Sequence, residues 1–161
     1  MKKILFVLLC CLLICGCSAS PAETSAPTEN LQIANPWKSY SSLAEAEAAS
    51  GLAFPIPEVI ADSYTAESFR VMNGQLLEVI YRDGEFEVTV RMQAGAEQDI
   101  SGVYENFQHT ETTEQNGAAI TRKEATDCLV YLIHMNNHSI SIYATSMAAD
   151  DACREILSYI Y

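Results

Sequence analysis

Few side chains in the C-terminal two thirds of the chain could bind a metal ion or act as a nucleophile. His109 lies in a polar stretch, and His134 and His138 flank a turn, so that an antiparallel register points the latter two to opposite faces of a sheet. Cys128 and Cys153 could form a disulfide, but strand and helix periodicity places them on opposite sides of one sheet, which favours two buried free thiols. No spacing typical of a metal site occurs. We therefore expect no metal ion and no cofactor, and the sequence assigns no catalytic residue.

A serine and an aspartate near the middle of the chain lie in the string Gln98-Asp99-Ile100-Ser101-Gly102-Val103-Tyr104. No base is recognisable beside Ser101, and the sequence contains no Gly-x-Ser-x-Gly elbow. Asp and Ser side chains can hydrogen-bond their own backbone, and glycine permits a positive φ. The string therefore predicts a fixed turn between two halves of a sheet, with the lining of a ligand cleft as the alternative.

Carboxylates dominate the charge of the chain. There are 21 Asp and Glu against 9 Lys and Arg, a net charge of -12, which argues against nucleic acid as a partner because phosphate binding needs a basic face. We expect Glu78, Glu87 and Thr89 on a solvated face of the first hairpins, with cation binding as the alternative. A hydrolase would need two acids brought together across a groove. The acids that could serve are Asp99, Glu105, Glu111 and Glu124.

The N-terminus has the layout of a secretory signal. Lys2 and Lys3 precede an apolar run, Ile4 to Ile14, that is too short to span a bilayer stably. The run ends in Ile14-Cys15-Gly16-Cys17, which resembles the lipobox of bacterial lipoproteins. That resemblance implies that residues 1–16 are a signal peptide and that Cys17 carries a diacylglyceryl thioether, with acyl chains such as palmitate. An ordinary signal peptide or an uncleaved anchor is the alternative.

A covalent anchor agrees with the charge of the rest of the chain. After the apolar run there are 7 basic and 21 acidic residues, so anionic lipid repels this part and attachment must be hydrophobic or covalent. Two or more acyl chains hold a protein stably on a membrane. Residues 17–35 are rich in Ser, Ala, Pro, Thr and Glu and predict a flexible tether, and residues 36–161 predict one domain. We expect a location at the cell membrane, lipid-anchored and facing outside the cytoplasm.

Four turn dipeptides divide the domain into hairpins: Asn73-Gly74, Asp83-Gly84, Asn116-Gly117 and Asn136-Asn137. The first requires a three-residue loop, and hence a bulge, to keep Val71 on the apolar face. The second predicts Val79 opposite Val88. The third predicts Thr113 opposite Ile120, with weakly apolar faces that suggest an edge position or a solvent-covered flap.

The fourth hairpin separates an apolar face from a mixed one. Its register sets Ile133 opposite Ile140 and makes every residue on that face apolar, whereas Val130 and Tyr143 belong to the mixed face. One side of the sheet is therefore expected to be core and the other at least partly wet.

Two helices complete the predicted architecture. Ser42 and Glu45 form a capping-box pattern before an Ala/Glu-rich segment that ends at Gly51. A second helix is predicted over residues 147–159 with Ser146 as its N-cap and an apolar stripe that includes Cys153. The fold class expected is α+β, a meander-like antiparallel sheet of hairpins packed on one face by an N-terminal and a C-terminal helix.

Several of these features together resemble a known bacterial family. They are the capped helix ending Ala49-Ser50-Gly51, the stretch Phe54 to Pro57, the Val79 to Gly84 hairpin, the Asp99 to Tyr104 string and the C-terminal amphipathic helix. Over residues 40–161 the chain is similar to the bacterial domain-of-unknown-function family 4367, which is found in extracytoplasmic lipoproteins. The resemblance implies the fold and the location, and it implies no activity.

The function expected from the sequence is non-catalytic binding. We expect a cell-surface lipoprotein that acts as a binding, sensing or accessory module, with an unknown protein or small molecule as partner. The predicted partner surface combines the mixed face and the central string: Val130, Tyr143, Asp99, Ser101 and Tyr104. An extracytoplasmic hydrolase acting on cell-wall or peptide substrates, or a purely structural subunit, is the alternative.

Overall fold

The computed structural model describes residues 34–95 and 97–161. Its elements, in chain order, are β1 (Trp37–Tyr40), α1 (Leu43–Ser50), β2 (Val59–Ile60), β3 (Tyr64–Met72), β4 (Leu76–Asp83), β5 (Phe86–Ala94), β6 (His109–Gln115), β7 (Ala118–Glu124), β8 (Leu129–Met135), β9 (His138–Ala144), a 3₁₀ turn (Met147–Ala149) and α2 (Asp150–Ile160). The predicted signal peptide, Cys17 and the tether up to residue 33 lie outside the described residues. Asn35–Tyr161 form one compact unit.

One antiparallel sheet contains the nine strands of the described region. Its order is β1-β3-β4-β5-β9-β8-β7-β6, and β2 pairs with the first two residues of β3. The predicted α+β class, with hairpins and a helix near each end, is confirmed. Because β5 lies beside β9 while β6 lies at the far edge, residues 97–108 must cross three strands to join them. We call this segment the crossover loop.

The hydrophobic core lies between the two helices and one face of the sheet, which we call the inner face. Alternate residues of the central strands point into it, among them Val79, Val90, Tyr131 and Ile142, all buried. The apolar stripe of α2, from Ala149 through Cys153, Ile156 and Leu157, belongs to the same core cluster. Period-2 strands and a period-3.6 helix thus bury their apolar sides against each other.

The N-terminal helix begins and ends where its capping residues predict. Ser42 Oγ accepts from the backbone N–H of Glu45, and Gly51 adopts a φ of 70° and donates its N–H to the Glu47 carbonyl. The capping box is displaced by one residue, because the Glu45 carboxylate accepts from Ser41 N (3.1 Å) and not from Ser42 N.

Two of the predicted hairpin registers match the structure and one is displaced. Thr113 lies opposite Ile120 and Ile133 opposite Ile140, as predicted. The prediction of Val79 opposite Val88 is wrong: Val79 lies opposite Val90. The loop residues are Gly84 and Glu85, with only Gly84 at positive φ (57°), so the glycine occupies the first turn position and not the second. The displacement of two residues leaves every side chain on its predicted face.

The remaining differences lie in β1, β2, β3 and α2. The three-residue loop after Met72 is confirmed, with Val71 opposite Leu77, while the bulge lies elsewhere in β3, between Ala66 and Ser68. Strands β1 and β2 were not predicted. Ser146 caps a short 3₁₀ turn, and α2 begins directly after that turn at Asp150, three residues later than the predicted start at residue 147.

Candidate functional site

The outer face of the sheet, the side turned away from the helices, carries mostly polar side chains. On the central strands these are Thr89 and Arg91 of β5, Val130, Leu132 and His134 of β8, and Ser139, Ser141 and Tyr143 of β9. The crossover loop is bound to this face. Gln98 N donates to Ser139 Oγ (3.2 Å), and Lys123 Nζ of β7 donates to Asp99 Oδ2 (2.8 Å). The outer face is therefore partly a buried polar interface.

An ionic cluster around one buried carboxylate joins three strands of the outer face, and we call it the Arg–Glu–Arg cluster: Arg70, Glu78 and Arg91. Arg70 Nε donates to Glu78 Oε1 (2.6 Å) and Arg91 Nε to Glu78 Oε2 (2.8 Å). The prediction that Glu78 lies on a solvated face is wrong, since its side chain is 0% exposed. The register explains the burial, because β3 and β5 place Arg70 and Arg91 directly opposite Glu78 and so neutralise it within the sheet.

The other two members of the predicted solvated group differ in exposure. Thr89 is buried and donates its hydroxyl to the Glu87 carboxylate (3.1 Å), which contradicts its predicted solvation. Glu87 is half-buried and pairs with Arg82 (2.8 Å).

The Asp99 to Tyr104 string forms the fixed turn that the sequence predicts. Asp99 Oδ1 accepts from both the backbone N–H (3.0 Å) and the hydroxyl (2.6 Å) of Ser101, and Ser101 Oγ accepts from Val103 N. Gly102 has a φ of 69°, and a Cβ there would lie 2.5 Å from Arg91 Nη1. That nitrogen donates to the carbonyl of Ser101, so the cluster holds the turn against the sheet.

Charge around this turn is balanced locally. Burial alone would raise the pKa of Asp99, but hydrogen bonds from Lys123 and Ser101 outweigh it and lower that pKa. Asp99 is therefore an ionised anchor of the loop.

The five residues of the predicted partner surface are placed very differently. The Val130 side chain is 0% exposed and Ser101 is 4% exposed, so neither can touch a partner directly. Tyr104 is 97% exposed at the tip of the loop, Asp99 is exposed, and Tyr143 is half-buried. Val130 is thus buried although it lies on the polar outer face.

Tyr143 contributes to a cleft of about 460 Å³ that the last residues of the loop help to line. We call it the Tyr143 cleft. It lies at the ends of β7, β8 and β9, and it is lined by Glu105, Asn106, Gln108, Ala125, Thr126, Asp127, Cys128, Tyr143 and Thr145. These lining side chains are acidic, neutral polar or small, so the cleft offers hydrogen-bond partners together with negative charge.

Burial keeps the thiol and the phenol of this cleft protonated, and neighbouring acidic side chains act in the same direction. Burial, with further contributions from Glu105 and Asp127, raises the pKa of the Cys128 thiol. Burial also raises the pKa of Tyr143, and Cys128 and Glu87 act in the same direction. At neutral pH the cleft therefore presents a thiol and a phenol, and not the thiolate that a nucleophile needs.

A second cleft, of about 320 Å³, lies where the loop begins, and we call it the His134 cleft. It is lined by Glu97, Gln98, Asp99, Thr121, Leu132, Ile133 and His134. The Nδ1 atom of His134 is buried and has no hydrogen-bond partner among the described residues.

The other candidate groups do not come together. Cys128 and Cys153 are both free and buried, and burial raises the pKa of Cys153 to about 12. Within residues 34–95 and 97–161, no group of three His, Cys, Asp or Glu side chains is placed to hold a metal ion. The acids named for a hydrolase separate: Asp99 lines the His134 cleft, Glu105 the Tyr143 cleft and Glu111 a third cleft beside α2, while Glu124 pairs with Arg122.

Sequence reasoning missed Arg91, which donates to the loop carbonyls of Ile100 and Ser101, and its neighbours Arg70 and Trp37. The centroid of the Trp37 ring lies 5.0 Å from Cζ of Arg70 and 5.8 Å from Cζ of Arg91, within range of a cation–π interaction. A signal for half of the cluster was present, because the three-residue loop after Met72 already sets Arg70 opposite Glu78.

Comparisons with family models, curated proteins and solved structures find no match to this chain. None of the helices described, over 34–95 and 97–161, is long and apolar enough to cross a bilayer.

Proposed function

We propose that this chain is a lipoprotein held on the outer side of the cell membrane through lipid on Cys17, and that its domain is a non-catalytic binding or sensing module. The Ile14-Cys15-Gly16-Cys17 string, at the end of an apolar run that follows Lys2 and Lys3, supports the anchor and the location. The outer face supports the binding role, because a fixed loop leaves concave, polar clefts beside it.

The Tyr143 cleft carries the proposal. Its carboxylates, Glu105 and Asp127, stand beside the amides of Asn106 and Gln108, with the Tyr143 ring as an aromatic surface. This chemistry suits a polar ligand that bears an amine or another cation, since carboxylates and an aromatic ring both attract positive charge. Tyr104, at the exposed tip of the same loop, can add contact area.

Binding fits this site better than nucleophilic catalysis does. The raised pKa of Cys128 keeps its sulfur protonated, and Ser101 is buried, so a substrate cannot reach its hydroxyl. A nucleophile must be accessible to the substrate, and a thiol must first lose its proton.

The anchor is tested by labelling cells that express the full chain with a radioactive fatty acid. We expect label on the wild type and on Cys15→Ser, and neither label nor membrane retention for Cys17→Ser. An unlabelled wild-type chain, or equal labelling of Cys17→Ser, would refute the lipid anchor.

The binding role is tested with spermine as the amine probe, added to the isotopically labelled chain and followed by NMR. We expect saturable shifts centred on the Tyr143 cleft that weaken with salt, and at least a several-fold loss of affinity in Glu105→Gln/Asp127→Asn. Glu85→Gln, in an exposed hairpin turn, is the matched control and should bind as the wild type does. Shifts spread evenly over the acidic surface would contradict a defined site.

A hydrolase is the second candidate because Glu105 and Asp127 both line the one cleft. Turnover of a peptide or cell-wall fragment by the wild type, abolished in Glu105→Gln, would replace the binding proposal with this one.

A further inference from the structure

The two edges of the sheet are protected to different degrees. At one edge, β1 has only four residues, follows Pro36 and carries an exposed lysine, Lys38. Short length, proline and lysine are the usual devices against edge-to-edge pairing. At the other edge β6, with the sequence HTETTEQ, has seven residues, all exposed, with no proline and no lysine. β6 does carry two carboxylates, Glu111 and Glu114, but no strand of the described residues pairs with the side of β6 that faces away from β7.

The hairpin geometry shows which backbone groups of β6 are free to pair. Asn116 and Gly117 both have positive φ (52° and 79°), as in a type I′ turn, whose first and last residues are hydrogen-bonded to each other. Gln115 and Ala118 are those residues. Because alternate residues of an antiparallel strand bond to alternate sides, the N–H and C=O groups of Thr110, Thr112 and Glu114 point away from β7.

We propose that β6 pairs antiparallel with β6 of a second copy of this chain, with Thr112 opposite Thr112. A symmetric pair has a two-fold axis perpendicular to the sheet, and the axis keeps each side chain on its own face. A register centred on Glu111 would set Glu111 opposite itself, which is repulsive. One centred on Thr113 would leave His109 and Thr110 unpaired. The register centred on Thr112 pairs all seven residues.

In this register the side chains are complementary. Glu114 lies opposite Thr110 and Glu111 opposite Thr113, so no carboxylate faces another directly. Thr112 Oγ1 already lies 2.9 Å from Thr121 Oγ1 of β7, and the pairing extends this threonine row across the axis. Each Glu111 also lies opposite Arg122 within its own hairpin, which offsets its charge.

The pairing is expected to be weak and strengthened by salt. A single strand edge buries less surface than stable protein interfaces do. Each chain has a net charge of -12, and raising the ionic strength screens the repulsion between the two copies. The spermine site of the proposed function would behave in the opposite way with salt, so the two are distinguishable.

The experiment is oxidative cross-linking of the full chain in the cells that express it, read on a non-reducing gel. Thr112→Cys should give a covalent dimer, because opposite residues lie within disulfide reach. Thr110→Cys, an exposed threonine on the same face, should not cross-link to itself, since its symmetry mate is about 13 Å away along the strand. Co-expressed Thr110→Cys and Glu114→Cys should cross-link to each other.

The wild-type chain measures cross-linking through its native cysteines. Dimer in Thr112→Cys several-fold above both the wild type and Thr110→Cys supports the register. Equal cross-linking of Thr110→Cys and Thr112→Cys, which random collision would give, overturns it. Absence of dimer in Thr112→Cys also overturns it, and pairing of β6 with a strand of another protein would then replace this proposal.

Discussion

Replacing Glu78 by glutamine tests whether the Arg–Glu–Arg cluster stabilises the outer face. The change keeps the size of the side chain but removes the counter-charge of two guanidinium groups. Breaking a buried ion pair from one side costs about 3–5 kcal/mol. Because the Arg70 and Arg91 side chains are still 33% and 20% exposed, water recovers part of this cost. We expect a loss of about 3 kcal/mol in the free energy of unfolding, or about 10 °C in Tm.

Urea unfolding followed by tryptophan fluorescence is the assay, because Trp37 is the single tryptophan of the chain and lies over both arginines. Glu67→Gln is the matched control, since Glu67 is half-exposed and lies 3.9 Å from Arg82; its midpoint should equal that of the wild type. A loss below about 1 kcal/mol for Glu78→Gln, the range of a surface pair, would refute the reasoning.

Three further experiments probe the loop and the core. Gly102→Ala should lower the free energy of unfolding in urea by about 1–3 kcal/mol, and by more than Gly84→Ala does. Both glycines have positive φ, but only at Gly102 would a Cβ meet Arg91. Equal losses in the two variants would mean that the contact with Arg91 is unimportant. Burial, aided by Asp150, raises the pKa of Tyr131 to about 12, whereas the phenol of the unfolded chain ionises near 10. The free energy of unfolding should therefore fall between pH 10 and about 12, because the unfolded state loses its proton first. The fall should be less steep in Tyr131→Phe. An unchanged slope in that variant would contradict the assignment. Cys128 and Cys153 should resist a thiol reagent at pH 8 in the folded chain and react in urea, as mapped by peptide mass spectrometry; rapid labelling of Cys153 without urea would contradict its burial.

Turn chemistry determined how well the fold could be predicted. The Asn116-Gly117 and Asn136-Asn137 loops have positive φ at both central residues, which only a few residue types tolerate, so the dipeptide fixes the register. Asp83-Gly84 does not, because a glycine can occupy either central position and Asp83 lies outside the loop. The face of each residue in this hairpin was still correct, since the displacement was even.

That displaced register also concealed the cluster. With Val79 opposite Val88, Glu78 would face Thr89 and the carboxylate would have one arginine neighbour. The true register brings Arg91 opposite Glu78 as well, and two flanking guanidinium groups are what make burial of the carboxylate tolerable. Strand β1, four residues with half of them exposed, carries too little periodicity to be recognised without its partner β3.

The polar outer face has a physical explanation that links the fold to the proposed site. A crossover loop has backbone groups that need partners when it lies on a sheet, and an apolar face could not supply them. Arg91 donates to the Ile100 carbonyl and Ser139 accepts from the Gln98 N–H, while Lys123 bonds the Asp99 side chain of the loop. The sequence predicts a solvent-exposed face, but this face is polar because it binds a segment of its own chain. The clefts form where that segment stops covering the strands, at Tyr143 on one side and His134 on the other, so a ligand in either cleft contacts the loop and the sheet together.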